Sequence, residues 1–182
     1  MAMTPPACAP QLRALPDSDM AEPELARLDH GYGLLDELLT NEAKVADILK
    51  IKGASEATKA LLKDISATAT KAAETIRERQ SDAPPVNLTV TGLPLLETDA
   101  RNRIANSQTA ILLLAFGSFD FRILLTQQSA CQYAWALASS LAAVDPNSAR
   151  AEAMSKIAAE FDALEKRVLA LLDTAPEVPT SE

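Results

Sequence analysis

Ile123-Leu-Leu-Thr-Gln-Gln-Ser-Ala-Cys-Gln-Tyr-Ala-Trp-Ala-Leu-Ala-Ser-Ser-Leu-Ala-Ala-Val144 is a run of 22 residues without a charge. Such a run is a membrane span, a helix lining a site, or the packed centre of a helical domain. Its length suits a span, which needs about 20 mostly apolar residues. Its content does not, because Thr126, Gln127, Gln128, Ser129, Gln132, Ser139 and Ser140 would each need a partner in lipid. Arg122 and Asp145 at its two ends give no charge asymmetry to orient it. The stretch reads as a helix packed on several sides by its neighbours, with no membrane span.

Working outward, Asp145-Pro146 marks a boundary, with Asp145 as N-cap and Pro146 at the first helical position, where its missing N–H costs nothing. A helix follows to about Thr174, with Met154, Ile157, Phe161, Leu164, Val168 and Leu171 at three-to-four spacing. On the other side, Gly117-Ser118 restarts a helical pattern that begins at Thr98-Asp99. Residues 81–97 carry Pro84, Pro85, Gly92 and Pro94 and read as an extended crossover, its Val86, Leu88, Val90, Leu93 and Leu95 packing over the bundle. Ser55 caps a helix to about Gln80, with Leu61, Leu62, Ile65, Ala69, Ala72 and Ile76 inward. The first helix runs from about Pro23 to Lys52 on Leu28, Tyr32, Leu35, Leu38, Val45, Ile48 and Leu49; Gly31 and Gly33 are expected to bend its first turns and Gly53 to stop it. The fold class is therefore all-α: a four-helix bundle of ferritin-like topology with a long crossover between helices 2 and 3. The expected organisation is an extended or disordered arm at 1–22, the bundle at 23–174 and a disordered tail at 175–182.

Composition agrees. Ala and Leu dominate the 182 residues, aromatics are 4%, and the hydrophobic fraction is 48%, a mixture that favours helix over strand. A net charge of −8 without a basic stripe excludes nucleic acid as a partner. Cys8 and Cys131 lie in a Pro-rich tail and in the uncharged stretch, an unpromising pair for a disulfide. Met1–Pro10 has neither a basic n-region nor an apolar h-region, so no secretory signal is read there.

A ferritin-like bundle raises the question of a di-iron site, which takes a Glu from each of two helices and Glu-x-x-His from the other two. The chain has one histidine, His30, and no Glu-x-x-His, so no metal, cofactor or catalytic centre is expected. His30 reads as a surface or capping residue. Cys131 reads as a small buried hydrophobe, with no neighbouring cation in sequence to activate it. Gln127 is the anomaly: it falls on the apolar face defined by Phe119, Ile123, Ala130, Ala134, Leu137, Leu141 and Val144. A buried amide must find partners. It forms either an interhelical hydrogen bond that fixes register or, with Gln128, Cys131, Asn106 and Gln108, an interhelical polar pocket for a small ligand. Tyr133 and Trp135 point to different faces, and Trp135 reads as packing or partner contact.

Phe119-Asp120-x-x-Ile123-Leu124-x-x-Gln127-x-x-x-Cys131 resembles a motif of a bacterial ferritin-like domain family of unknown function, whose members carry Phe-Asp-x-x-Tyr-Leu-x-x-Gln-x-x-x-His. The similarity covers Leu34–Leu172. It implies the four-helix fold and a periplasmic or outer-membrane-associated location, and supplies no activity. The family's histidine falls on Cys131 and its second histidine near Thr68–Thr70, so this chain resembles a divergent member that lacks both. Arg122-Ile-Leu-Leu-Thr-Gln-Gln with Asp145-Pro146 and Phe161 also resembles helical sensor domains of the type IV pili and nitrate-sensing group, which bind small anions between helices. The expected function is a non-enzymatic binding or structural module that associates with itself or with a protein partner through an apolar helix face. A small-ligand sensor bundle is the alternative.

Overall fold

The computed structural model describes residues 24–89 and 118–174, with isolated positions between them. It is an all-α four-helix bundle, and among the described residues there is no strand. The helices are α1 (Glu24–Glu42), α2 (Glu56–Arg79), α3 (Phe119–Val144) and α4 (Ser148–Asp173), with a 3₁₀ segment at Val45–Lys50. The expected 1–22 arm and 175–182 tail lie outside the described residues, as does most of the pattern at 98–117. Its described positions 96, 99–100, 103–104, 106–107 and 112 are helical.

The helices pack in a square in which α1 touches α2 and α3, and α4 touches the same two. Cross-links set the directions. Arg77 near the end of α2 pairs with Asp36 of α1 at 2.9 Å, and Arg167 late in α4 pairs with Asp64 early in α2 at 2.7 Å. Gln128 early in α3 donates to Glu165 late in α4 at 2.8 Å. Every touching pair is thus antiparallel, and the diagonal pair α2 and α3 is parallel. The chain therefore travels the height of the bundle between Arg79 and Ser118, roughly 36 Å at 1.5 Å per helical residue. That is the geometric reason for a long connection.

The core is built from one stripe of each helix. Leu61, Leu62, Ile65, Ala69, Ala72 and Ile76 of α2 are buried, as are Met154, Ile157, Phe161, Leu164 and Val168 of α4, with Leu171 packed beside them. Val86 is buried and Leu88 packs against the core, so the start of the crossover does cover the bundle; Val90, Leu93 and Leu95 lie outside the described residues. Alanines line α2 and α3, and Gly31 faces Leu141, where an added Cβ would stand 2.8 Å from Leu141 Cδ2. That close approach explains the glycine in an otherwise continuous helix.

Three boundaries differ from expectation. α1 runs unbroken through Gly31 and Gly33 and ends at Glu42, the remainder to Lys50 tightening into a 3₁₀ segment with no buried residue. Its buried phase is Leu28, Tyr32, Leu35 and Leu39, so Val45, Ile48 and Leu49 are only partly covered. On α3 the buried set is Ile123, Leu124, Gln127, Cys131, Ala134, Ala138 and Leu141; Val144 is exposed and Phe119 and Ala130 sit at the margin. Asp145 is not an N-cap: Asn147 caps α4, its side chain accepting from Arg150 N at 2.9 Å, because the Asp145 carboxylate is engaged elsewhere.

Ser55 caps α2, its hydroxyl accepting from Thr58 N at 3.2 Å, while Asp120 of α3 accepts from Ser55 N at 2.9 Å. Ser55→Ala removes the first bond and keeps the second. The expected loss is about 1 kcal/mol, as for other N-caps, read from urea denaturation followed by circular dichroism.

Candidate functional site

Among the described residues the buried polar side chains are Thr58, beside its cap Ser55, and Gln127 and Arg150, which lie on apolar stripes at two places in the interior. At one end, Tyr32, Asp145 and Arg150 form a closed clasp. The side chains of Arg150 and Asp145 are 1% and 0% exposed. Arg150 Nε and Nη2 donate to the two Asp145 oxygens at 2.5 and 2.9 Å, a bidentate pair. Tyr32 Oη donates to Asp145 Oδ2 at 2.6 Å, and the guanidinium lies 5.4 Å from the Tyr32 ring centre. Arg150 Nη1 also donates to the carbonyls of Asp82 and Pro84, at 3.0 and 2.8 Å, and Asn147 Nδ2 to that of Ala83 at 2.9 Å. The clasp ties α1, the end of α3, the start of α4 and the loop after α2 together. Burial alone would raise the Asp145 pKa; bonds from Arg150, Tyr32 and the Asn147 backbone, with the Arg150 charge, hold it below the usual carboxylate range. Tyr32 shifts the other way, raised by burial and by its bond to Asp145. Every member is engaged, and the clasp fastens these elements together.

The second place is at the other end of α1. Glu42, the last residue of α1, has a fully buried Oε2 with no hydrogen-bond partner. Gln127 of α3 is 3% exposed, and its Oε1 also lacks a partner. Burial pushes the Glu42 carboxyl up to about 7, against a side-chain hydrogen bond with Gln127 that works to lower it. One turn on, Cys131 is fully buried; burial, then the charges of Glu42 and Glu165, push its thiol up to about 12. At neutral pH the sulfur keeps its proton and is a poor nucleophile. Glu165 is held by Gln128.

Of the residues expected to make a polar pocket, the structure brings together Gln127, Gln128 and Cys131. Asn106 is exposed, and Gln108 lies outside the described residues. Surface depressions lie elsewhere: about 260 Å³ between α2 and α4 around Lys71 and Arg79, about 390 Å³ beside Arg27 and Pro84, and about 480 Å³ along Trp135, Ser139 and Ala159. None of these three is lined by Gln127, Gln128 or Cys131. Among the described residues no group of three or more His, Cys, Asp or Glu is placed to hold a metal ion.

Sequence reasoning missed Arg150 and Glu42, yet spacing carried a signal for both. Arg150 precedes Met154, Ile157 and Phe161 at intervals of four, three and four. Glu42 continues Leu28, Tyr32, Leu35 and Leu39 by three. A charge in phase with a buried stripe marks an interior group.

The opposite face of α3 is the third feature. Phe121, Leu125, Tyr133 and Val144 are exposed there, among Ser129, Gln132, Ser140 and Ala143, whereas Trp135 is exposed on the flank towards α4, in the depression with Ser139 and Ala159. No described helix is long and apolar enough to cross a membrane. Comparison of the chain with protein-family models, curated proteins and solved structures returns no match.

Proposed function

We propose that this chain is a non-catalytic four-helix interaction module that pairs with a second copy of itself through the outer face of α3. The observation that carries this reading is the uncharged outer face itself. The other described helices expose acidic and basic side chains together, for example Lys63, Asp64 and Glu74 on α2 and Glu152, Lys156 and Glu160 on α4. With a net charge of −8, two copies repel at most approaches. Along residues 123–144 they meet without opposing carboxylates, and Leu125 and Tyr133 supply apolar contact. The resemblance to the ferritin-like family of unknown function supports the same reading: a helical scaffold without a metal centre, Cys131 standing where relatives carry histidine. The small-ligand alternative draws less support, since Gln128 is committed to Glu165 and Gln127 faces Glu42.

Light scattering after size exclusion is expected to give a dimer for the native chain. Leu125→Glu with Tyr133→Glu is expected to give a monomer with an unchanged melting midpoint, because exposed substitutions usually move stability by less than about 0.5 kcal/mol. A native chain that stays monomeric at its highest soluble concentration overturns the reading.

A further inference from the structure

A depression of about 390 Å³ lies at the end of the bundle that carries the clasp. The described residues lining it are Leu25, Arg27 and Leu28 of α1, Pro84 after α2, Val144 of α3 and Pro146 before α4. Five of these are apolar, and Leu25 and Val144 are exposed, so part of the wall is apolar surface left in water. Arg27 is exposed and is the charged residue among them. Arg77, Arg79, Arg150 and Arg167 each pair with a carboxylate, whereas no described residue bonds the Arg27 side chain.

The clasp sets these walls. Val144 and Pro146 flank Asp145, whose two oxygens Arg150 takes, and the Pro84 carbonyl accepts from Arg150 Nη1 at 2.8 Å. Leu28 stands one turn before Tyr32 on the same buried face. Three stretches distant in sequence thus meet around one space, fixed by one buried network. Walls fixed in advance lower the ordering cost of binding. A buried ion pair adds little net stability over apolar side chains of the same volume, so its contribution here is position.

We propose that this depression binds a free medium-chain carboxylic acid, its tail against Leu25, Leu28, Pro84, Val144 and Pro146 and its carboxylate against the Arg27 guanidinium. An apolar cavity of about 150 Å³ holds one benzene, so 390 Å³ leaves room for about ten carbons and a head group. The charge pattern selects the head: a neutral or cationic one leaves Arg27 without a partner. A chain of net charge −8 repels anions in general, and a single negative charge on a long apolar tail is the anion least penalised. The site is separate from pairing through the outer face of α3, whose contacts lie at Leu125 and Tyr133.

The test follows the full chain by isothermal titration calorimetry and by amide chemical shifts, with decanoate, octanoate and octanol as probes. Decanoate is expected to bind one per chain and to shift the amides of Leu25, Arg27, Leu28 and Val144. Octanoate is expected to bind about tenfold more weakly, since each buried methylene is worth about threefold to fourfold. Octanol is expected to bind about fivefold more weakly than octanoate, the size of one exposed ion pair, and Arg27→Gln to abolish that difference. Leu25→Asp sets a carboxylate at the wall and is expected to remove decanoate binding with an unchanged melting midpoint. Should that variant lose its midpoint, the Arg27→Gln and chain-length comparisons decide without it. No heat and no shift with decanoate at millimolar concentration overturns the proposal. Shifts confined to other residues, or octanol binding as tightly as octanoate, overturn it as well. Leu25 and Leu28 amides that move with protein concentration alone assign the space to a second copy, which also overturns it.

Discussion

Arg150→Met is expected to lose about 3–5 kcal/mol of folding stability, the range for a buried ion pair deprived of one partner. The cost arises in what is left behind. Asp145, 0% exposed, keeps its charge without its bidentate partner, and the carbonyls of Asp82 and Pro84 lose their donor. Methionine fills the volume, so the measurement reports the polar loss more than a cavity. Urea denaturation followed by circular dichroism reads it, and against a total stability of about 5–15 kcal/mol the change is large. A pH series checks the assignment. The Asp145 pKa is lowered on folding, so its contribution is present above the unfolded carboxylate value and disappears as pH falls through the folded one. The native chain is therefore expected to weaken in acid more steeply than Arg150→Met, in which that contribution is already gone. Asp145→Leu combined with Arg150→Met is expected to cost less than the two single changes added together, since the groups act as one unit. An Arg150→Met chain within about 1 kcal/mol of native would mean that solvent reaches the clasp, contrary to its burial.

Phe161→Ala is expected to cost about 3–5 kcal/mol through lost burial and the cavity left behind. With four Phe, two Tyr and one Trp in the chain, large interior side chains are few. Phe161 is wholly buried in α4 and belongs to the same cluster as Ala69, Ala72 and Ala73 of α2 and Ala134 and Ala138 of α3. Leu169→Ala on the exposed side of the same helix is the control and is expected to change stability by less than about 0.5 kcal/mol. Equal effects for the two would contradict the orientation of α4.

What the sequence determines by itself is local and periodic. The inward faces of α2 and α4 were legible because a single unbroken three-to-four spacing, flanked by Ser55, Pro146 and polar turns, admits one phase. Burial of Gln127 was legible from the apolar face it shares with Ile123, Ala134 and Leu141, and that of Cys131 from its residue type in apolar company. α1 was harder: Leu38 and Leu39 are adjacent, so the stripe can be drawn through either, and Glu42 stands in phase with both, four residues past one and three past the other. Asp145-Pro146 carries a capping signal that is genuine in type, and no local rule distinguishes a carboxylate that caps its own helix from one claimed by Arg150 and Tyr32.

The tertiary structure decided what depends on partners distant in the chain. Tyr32 and Asp145 meet across 113 residues, Arg150 and Asp82 across 68, and Glu42 meets Gln127 only because α1 and α3 run antiparallel. Periodicity states which face of a helix is buried. It does not state which helix stands opposite, and the energy of a buried charge or amide is set by that neighbour. The uncharged run from Ile123 to Val144 shows both halves of this: its helical form follows from composition and spacing, whereas packing alone turned Gln127 towards Glu42 and left Leu125 and Tyr133 facing out.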